Sequence, residues 1–121
     1  MCTFNNIYHQ YDIVWINNPV TDEEETHRMR GDHYGIILSE DCQNAASGTC
    51  IVCYITSSLS RLDLKSNVIL QFYDGIKNPC VAKTSTMVQL DNSCIERKIG
   101  SLTDADAQRI RDSIKFVFSI D

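Results

Sequence analysis

A chain of 121 residues with a hydrophobic fraction of 43% is sized for one domain with a real core, so residues 1–121 read as a single unit, and extended disorder is excluded. Its net charge of −5 excludes a broad polycationic surface that coats nucleic acid. A local basic patch is still allowed, because phosphate recognition depends on where the cations sit.

Residues 1–10 lack a basic start followed by an apolar run, and runs such as 50–55 are far too short to cross a bilayer. A soluble cytoplasmic protein with no membrane partner is expected. The first strand is predicted at Tyr11-Asp12-Ile13-Val14-Trp15-Ile16, the second at Tyr34-Gly35-Ile36-Ile37-Leu38-Ser39. The connection between them exceeds the roughly 12–15 residues that a compact domain keeps without a functional reason. It is acidic at Glu23, Glu24 and Glu25, then carries His27, Arg28, Arg30 and His33 up to the second strand. Further strands are predicted at 50–55, at 67–72, at 80–83 running into 86–90 with an irregularity, and at 95–99. Asp74-Gly75 and Asn78-Pro79 mark turns. Short strands at this spacing predict a small antiparallel barrel or sandwich.

The period then changes to that of a helix. Thr103 is a good N-cap, and Asp106 three residues on gives an acidic variant of the capping box. Leu102 and Ala107 are placed to form a hydrophobic staple. Ala107, Ile110, Ile114, Val117 and Phe118 form one apolar stripe. Mainly β with α, and a C-terminal helix closing on the sheet, is the expected fold class.

Cys50-Ile51-Val52-Cys53 has the spacing of a metal knuckle, yet it lies in a predicted strand. Residues three apart on a strand point to opposite faces, and a second such pair is missing from the sequence. The six cysteines therefore read as structural and reduced, with no metal and no cofactor expected.

His33, at the start of a buried strand, is a candidate proton-transfer group. Arg28 and Arg30 beside it are candidate phosphate anchors. Thr56 and Ser57 follow the central strand, where hydroxyls either contact a phosphate or cap a turn. Arg61 and Lys65 lie in a second polar loop, 57–66, and Lys83 on a later strand. These cations line a groove sized for a single strand if the two loops approach each other. A phosphate-cradling glycine loop, HExxH and GxSxG are all missing from the sequence.

In their order these pieces resemble the PemK/MazF family of toxin endoribonucleases. The family's Gly-Asp-Ile-Val-Trp-like strand is matched by residues 11–16, and its acidic loop by Pro19 and Glu23 to Glu25. Its next apolar strand corresponds to residues 31–39, its Ile/Val-Thr-Ser element to Ile55-Thr56-Ser57. The match is closest over residues 97–103 and the acidic-capped helix beyond. The resemblance implies an SH3-like antiparallel β-barrel, a homodimer, and a cognate antitoxin that covers an RNA site. It also implies metal-independent cleavage of single-stranded RNA by 2′-hydroxyl attack. Where the family has Arg-Pro, this chain has His33-Tyr34; its later Arg-x-Asp pair falls on Lys83 and Ser85. The resemblance keeps the family's catalytic threonine as Thr56, orienting the phosphate; with the family's arginine absent, His33 is expected to act as acid or base, and Arg30 with Lys83 to stabilise charge. Arg28, Ser57, Arg61, Lys65 and Ser85 are left to bind RNA. Two other readings stay open: a CcdB-like toxin that binds a topoisomerase without catalysis, and a dimeric binding module that has kept only the fold.

Overall fold

The computed structural model describes residues 7–17 and 33–121, so Arg28 and Arg30 lie outside the described residues. Strands β1 (Asp12–Ile16), β2 (His33–Ile37), β3 (Thr49–Thr56), β4 (Asn67–Ile69), β5 (Val81–Asp91) and β6 (Ile95–Ser101) form one sheet. Their order is β4-β5-β3-β2-β1-β6, and every neighbouring pair is antiparallel. Helix α1 (Asp41–Ser47) joins β2 to β3, and α2 (Asp104–Val117) follows β6. Among the described residues no helix is long and apolar enough to cross a membrane.

Strand alternation sorts the apolar side chains into two cores. One holds Ile13, Ile36, Cys53, Ile55 and Ala82, closed over by Leu102, Ala107 and Ile110. The other holds Val14, Ile16, Ile37, Cys50, Val52 and Tyr54. Cys50 and Cys53 thus point to opposite faces, as their spacing on a strand requires, and both carry free thiols. Cys42 departs from the expectation of reduced cysteine: it is disulfide-bonded.

The irregularity expected in β5 is present. Tyr54 pairs with Lys83 but Cys53 with Met87, so Thr84, Ser85 and Thr86 bulge from the ladder. The bulge turns Thr84 inward. Its N–H reaches the Ser66 carbonyl at 2.8 Å, its hydroxyl lies 2.6 Å from that of Ser113, and Ser113 donates to the Lys65 carbonyl. Strand, loop 57–66 and helix α2 are tied together there.

The start of α2 follows the sequence signal with one substitution of partner. Thr103 Oγ1 accepts from the Asp106 N–H at 3.1 Å, as an N-cap should. The reciprocal half of the capping box is missing; instead the Thr103 N–H donates to the Tyr73 hydroxyl at 3.0 Å. Tyr73 in turn donates to Asp106 Oδ2 at 2.6 Å, so its phenol is inserted between the two halves of the box. Asp106 is fully buried and also accepts from the Gln71 N–H and from Arg109. Burial pushes the Tyr73 phenol above its usual pKa, and the bond to Asp106 adds to the shift.

Helix α1 is not signalled by an apolar stripe. Glu40 caps it through the N–H groups of Cys42 and Gln43, and Gly48 ends it in the left-handed region at φ 76°. Its Asp41 fastens the segment before β1, accepting from the Gln10 N–H at 2.7 Å and meeting His9 Nδ1 at 2.8 Å. Partial burial raises the Asp41 pKa, but the Gln10 and His9 bonds outweigh it, and the carboxyl ends below its ordinary value.

Two outcomes follow for stability. Asp106→Ala orphans the Gln71 N–H and the Tyr73 hydroxyl together, and should lower unfolding free energy by on the order of 2–4 kcal/mol in urea titrations. Tyr73→Phe should cost about 1–2 kcal/mol, with less than additive loss in the double variant. A carboxyl whose folded pKa is depressed contributes stability above its unfolded pKa of about 3.9 and loses it as pH falls through the folded value. The stability gap between the wild type and Asp41→Asn should therefore narrow as the medium is acidified below about pH 4.

Candidate functional site

The β2–β3 register pairs Gly35 with Tyr54, which carries His33 to the level of Thr56 at the strand ends. There the sheet margin opens into a cavity of about 400 Å³ lined by Trp15, His33, Tyr34, Ile55, Thr56, Ser57, Ile76, Lys77 and Cys80. A smaller cavity of about 40 Å³ adjoins it, with Thr56, Ser58, Ser60, Asn67, Val81 and Lys83 around it. Thr56 belongs to both. The predicted residues His33, Thr56, Ser57 and Lys83 therefore come together around one threonine.

Each keeps a defined environment. The His33 ring meets the buried Tyr54 ring edge-on, with centroids 5.4 Å apart. Thr56 Oγ1 accepts from the Ser58 N–H at 3.1 Å, the turn-capping role that threonine often takes, and its hydroxyl hydrogen remains able to donate. Lys83 is half-buried opposite Tyr54 and Asn67.

The remaining predicted residues sit elsewhere. Arg61 Nε and Nη2 both donate to Asp63, each at 3.0 Å, so its guanidinium is engaged locally. Both groups are exposed, and such a pair adds little stability. Lys65 stands 4.6 Å from the Phe116 ring centre, beside a separate groove of about 430 Å³ between loop 57–66 and α2. Ser85 is exposed on the β5 bulge and lines neither cavity. Among the described residues, no group of three or more His, Cys, Asp or Glu side chains is placed to hold a metal ion.

Sequence reasoning passed over Lys77, the cation that lines the larger cavity beside His33 and Thr56. Its signal was the turn pair Asp74-Gly75 and Asn78-Pro79, which folds residues 70–80 back over the strand ends. The Asn78 side chain holds this turn through the Tyr73 N–H and the Tyr73 and Ile76 carbonyls. Trp15 and Tyr34, read as strand residues, form the aromatic wall.

An antiparallel sheet, left open between β4 and β6 rather than closed into the expected barrel, one covering helix and a cavity where strands end define an SH3-like α+β domain. The family model described as PemK-like, MazF-like toxin of type II toxin-antitoxin systems matches residues 9–118, and the chain belongs to that family. Among solved structures it is similar to MazF from Deinococcus radiodurans, with a TM-score of 0.77 at 17% identity over 95% of this chain and 99% of that one. It is also similar to a Mycobacterium tuberculosis toxin, MazF-mt6, with a TM-score of 0.72 at 16% identity over 91% and 98%. A mycobacterial endoribonuclease in complex with its cognate antitoxin gives 0.76 at 10% identity over 94% and 97%. At these identities the likeness is one of fold. Comparison with curated protein sequences gives no significant match.

Burial pushes the Cys53 thiol up to about 12 and those of Cys50 and Cys80 to about 11, helped at Cys50 by Cys94 and at Cys80 by Asp106. Thiolate is the reactive form. In the folded protein near neutral pH, iodoacetamide should leave these three cysteines unmodified and label the half-buried Cys94 first among the described free cysteines, as read by peptide mass mapping.

Proposed function

We propose that this toxin is a metal-independent endoribonuclease that cleaves single-stranded RNA. It acts in the cytoplasm as a single-domain subunit of a homodimer, and is held in check by a cognate antitoxin. The observation that carries the reading is the meeting of His33, Thr56 and Lys77 on one cavity, with Lys83 on the other side of Thr56. A proton-transfer group, a hydroxyl donor and two cations are what phosphodiester cleavage by an internal nucleophile needs.

In the proposed reaction His33 takes the proton from a ribose 2′-hydroxyl, whose oxygen attacks the adjacent phosphorus. The bond from phosphorus to the 5′-oxygen breaks, and that oxygen leaves as a 5′-hydroxyl by taking the proton from the protonated His33, which returns to its starting state. The other product is a 2′,3′-cyclic phosphate, and no water is consumed. Thr56 donates to a non-bridging phosphate oxygen, and Lys77 and Lys83 stabilise the charge that builds there. Arg30, a candidate phosphate anchor by its sequence position beside His33, is assigned the same stabilising role. Ser57, which lines the cavity, and Arg28, Arg61, Lys65 and Ser85 are assigned to RNA binding. The family's arginine is replaced by His33, so proton transfer and charge stabilisation fall to separate side chains.

Mixed-sequence single-stranded RNA incubated with the protein in EDTA tests this. Cleavage should persist in EDTA and leave cyclic phosphate ends. His33→Ala should slow it by about 10²–10⁴-fold and Thr56→Ala by about 10²-fold, with circular dichroism melts unchanged. Undiminished cleavage by both variants sinks the assignment. A folded dimer that leaves RNA intact but blocks gyrase supercoiling would point to the CcdB-like reading instead.

A further inference from the structure

Trp15 pairs across the sheet with Tyr34 on β2 and with Arg97 on β6, so three strands contribute one row of side chains. The Trp15 and Tyr34 rings meet edge to face, with centroids 4.6 Å apart and planes at 69°. The Arg97 guanidinium lies 5.4 Å from the Trp15 ring centre, and the Tyr34 hydroxyl donates to the Gly75 carbonyl at 3.3 Å. Both rings are thereby held at a fixed angle while only half-buried, and both line the cavity that holds Thr56. A large aromatic surface fixed beside a strand end and only half-buried is suited to stacking a planar ligand.

We propose that Trp15 and Tyr34 form a stacking platform for one nucleobase of the RNA strand, next to the phosphate held at Thr56 and Lys77. This rests on the ribonuclease reading and deepens it. The cavity divides accordingly: Trp15, Tyr34, Ile55 and Ile76 make an apolar half for a base, while His33, Thr56 and Lys77 make a polar half for the backbone. At about 400 Å³ the space lies near the small end of ligand sites, which matches a single nucleotide rather than a longer segment. Stacking is tolerant of base identity, because every base presents a π-face. The platform therefore supplies affinity and position, and leaves sequence choice to other contacts. Arg97 acts as a positioning residue by holding the Trp15 ring from the outer strand.

Trp15 is the chain's one tryptophan, so its emission reads the platform directly. The probe is a 2′-O-methyl oligonucleotide, which blocks the proposed nucleophile, beside the same backbone with an abasic position at each nucleotide in turn. Binding is followed independently by anisotropy of a terminal dye. The intact oligonucleotide should quench Trp15 on binding, and one abasic position should abolish the quench and weaken binding by about 5- to 150-fold. Tyr34→Leu should weaken the intact oligonucleotide by a similar factor and the matching abasic one hardly at all. Trp15→Phe, which keeps a stackable ring, should retain most of the affinity. Binding without any change in Trp15 emission, or equal loss for intact and abasic probes in Tyr34→Leu, overturns the platform and leaves the ribonuclease reading standing. No binding of either probe by the folded protein overturns both.

Discussion

The Asp106 carboxylate is the constraint on which the rest of the structure leans. A fully buried carboxylate is tolerable only when its lone pairs are filled, and here a backbone N–H, a phenol and a guanidinium fill them from two parts of the chain. Gln71 and Tyr73 belong to the segment that folds over the strand ends, and Arg109 to the helix itself. One side chain thus fixes the helix start, the loop 70–80 and, through Ile76 and Lys77, a wall of the candidate site. Arg109 extends the same clamp to the Ile69 carbonyl at the end of β4.

The site has an economical layout because it needs no dedicated insertion. Thr56 is simply the last residue of β3, His33 the first of β2, and Trp15 lies one position inside the end of β1. Antiparallel pairing brings such ends to one margin automatically, and register alone decides which residues become neighbours. Gly35 protects that register: a Cβ there would stand 2.6 Å from Ile16 Cδ1 and 3.0 Å from the Cys53 carbonyl. The two strands flanking β2 can close on it only because this position lacks a side chain.

Much of this was legible from residue order. All six strands, the broken ladder in β5 and the Thr103 cap were readable because apolar periodicity and capping chemistry act locally. Strand β4 came out shorter than expected, ending at Ile69, since residues 70–72 turn to meet Asp106. Helix α1 escaped notice because Glu40 is an unusual cap and its seven residues carry no apolar stripe. Tyr73 within the capping box is a tertiary substitution that no local window contains. Of the site, His33, Thr56, Ser57 and Lys83 could be assembled because strand ends are predictable neighbours. Lys77 could not, since its position depends on how a turn thirty residues before the helix is held by that helix. Arg61 and Lys65 illustrate the converse: cations in a polar loop found nearer partners in Asp63 and Phe116.

The clamp at Asp106 also orders events in time. Strand ends 16, 33 and 56 emerge from a ribosome long before residue 106 does, and the wall bearing Ile76 and Lys77, held until then by Asn78 and Tyr34, gains its bonds to the helix only when Thr103 and Asp106 are in place. A nascent chain therefore carries every residue of the cavity, the last being Cys80, for about 26 residues of synthesis before Asp106 is added. For a toxin, assembly that waits on a late carboxylate means that truncated translation products lack the finished cavity.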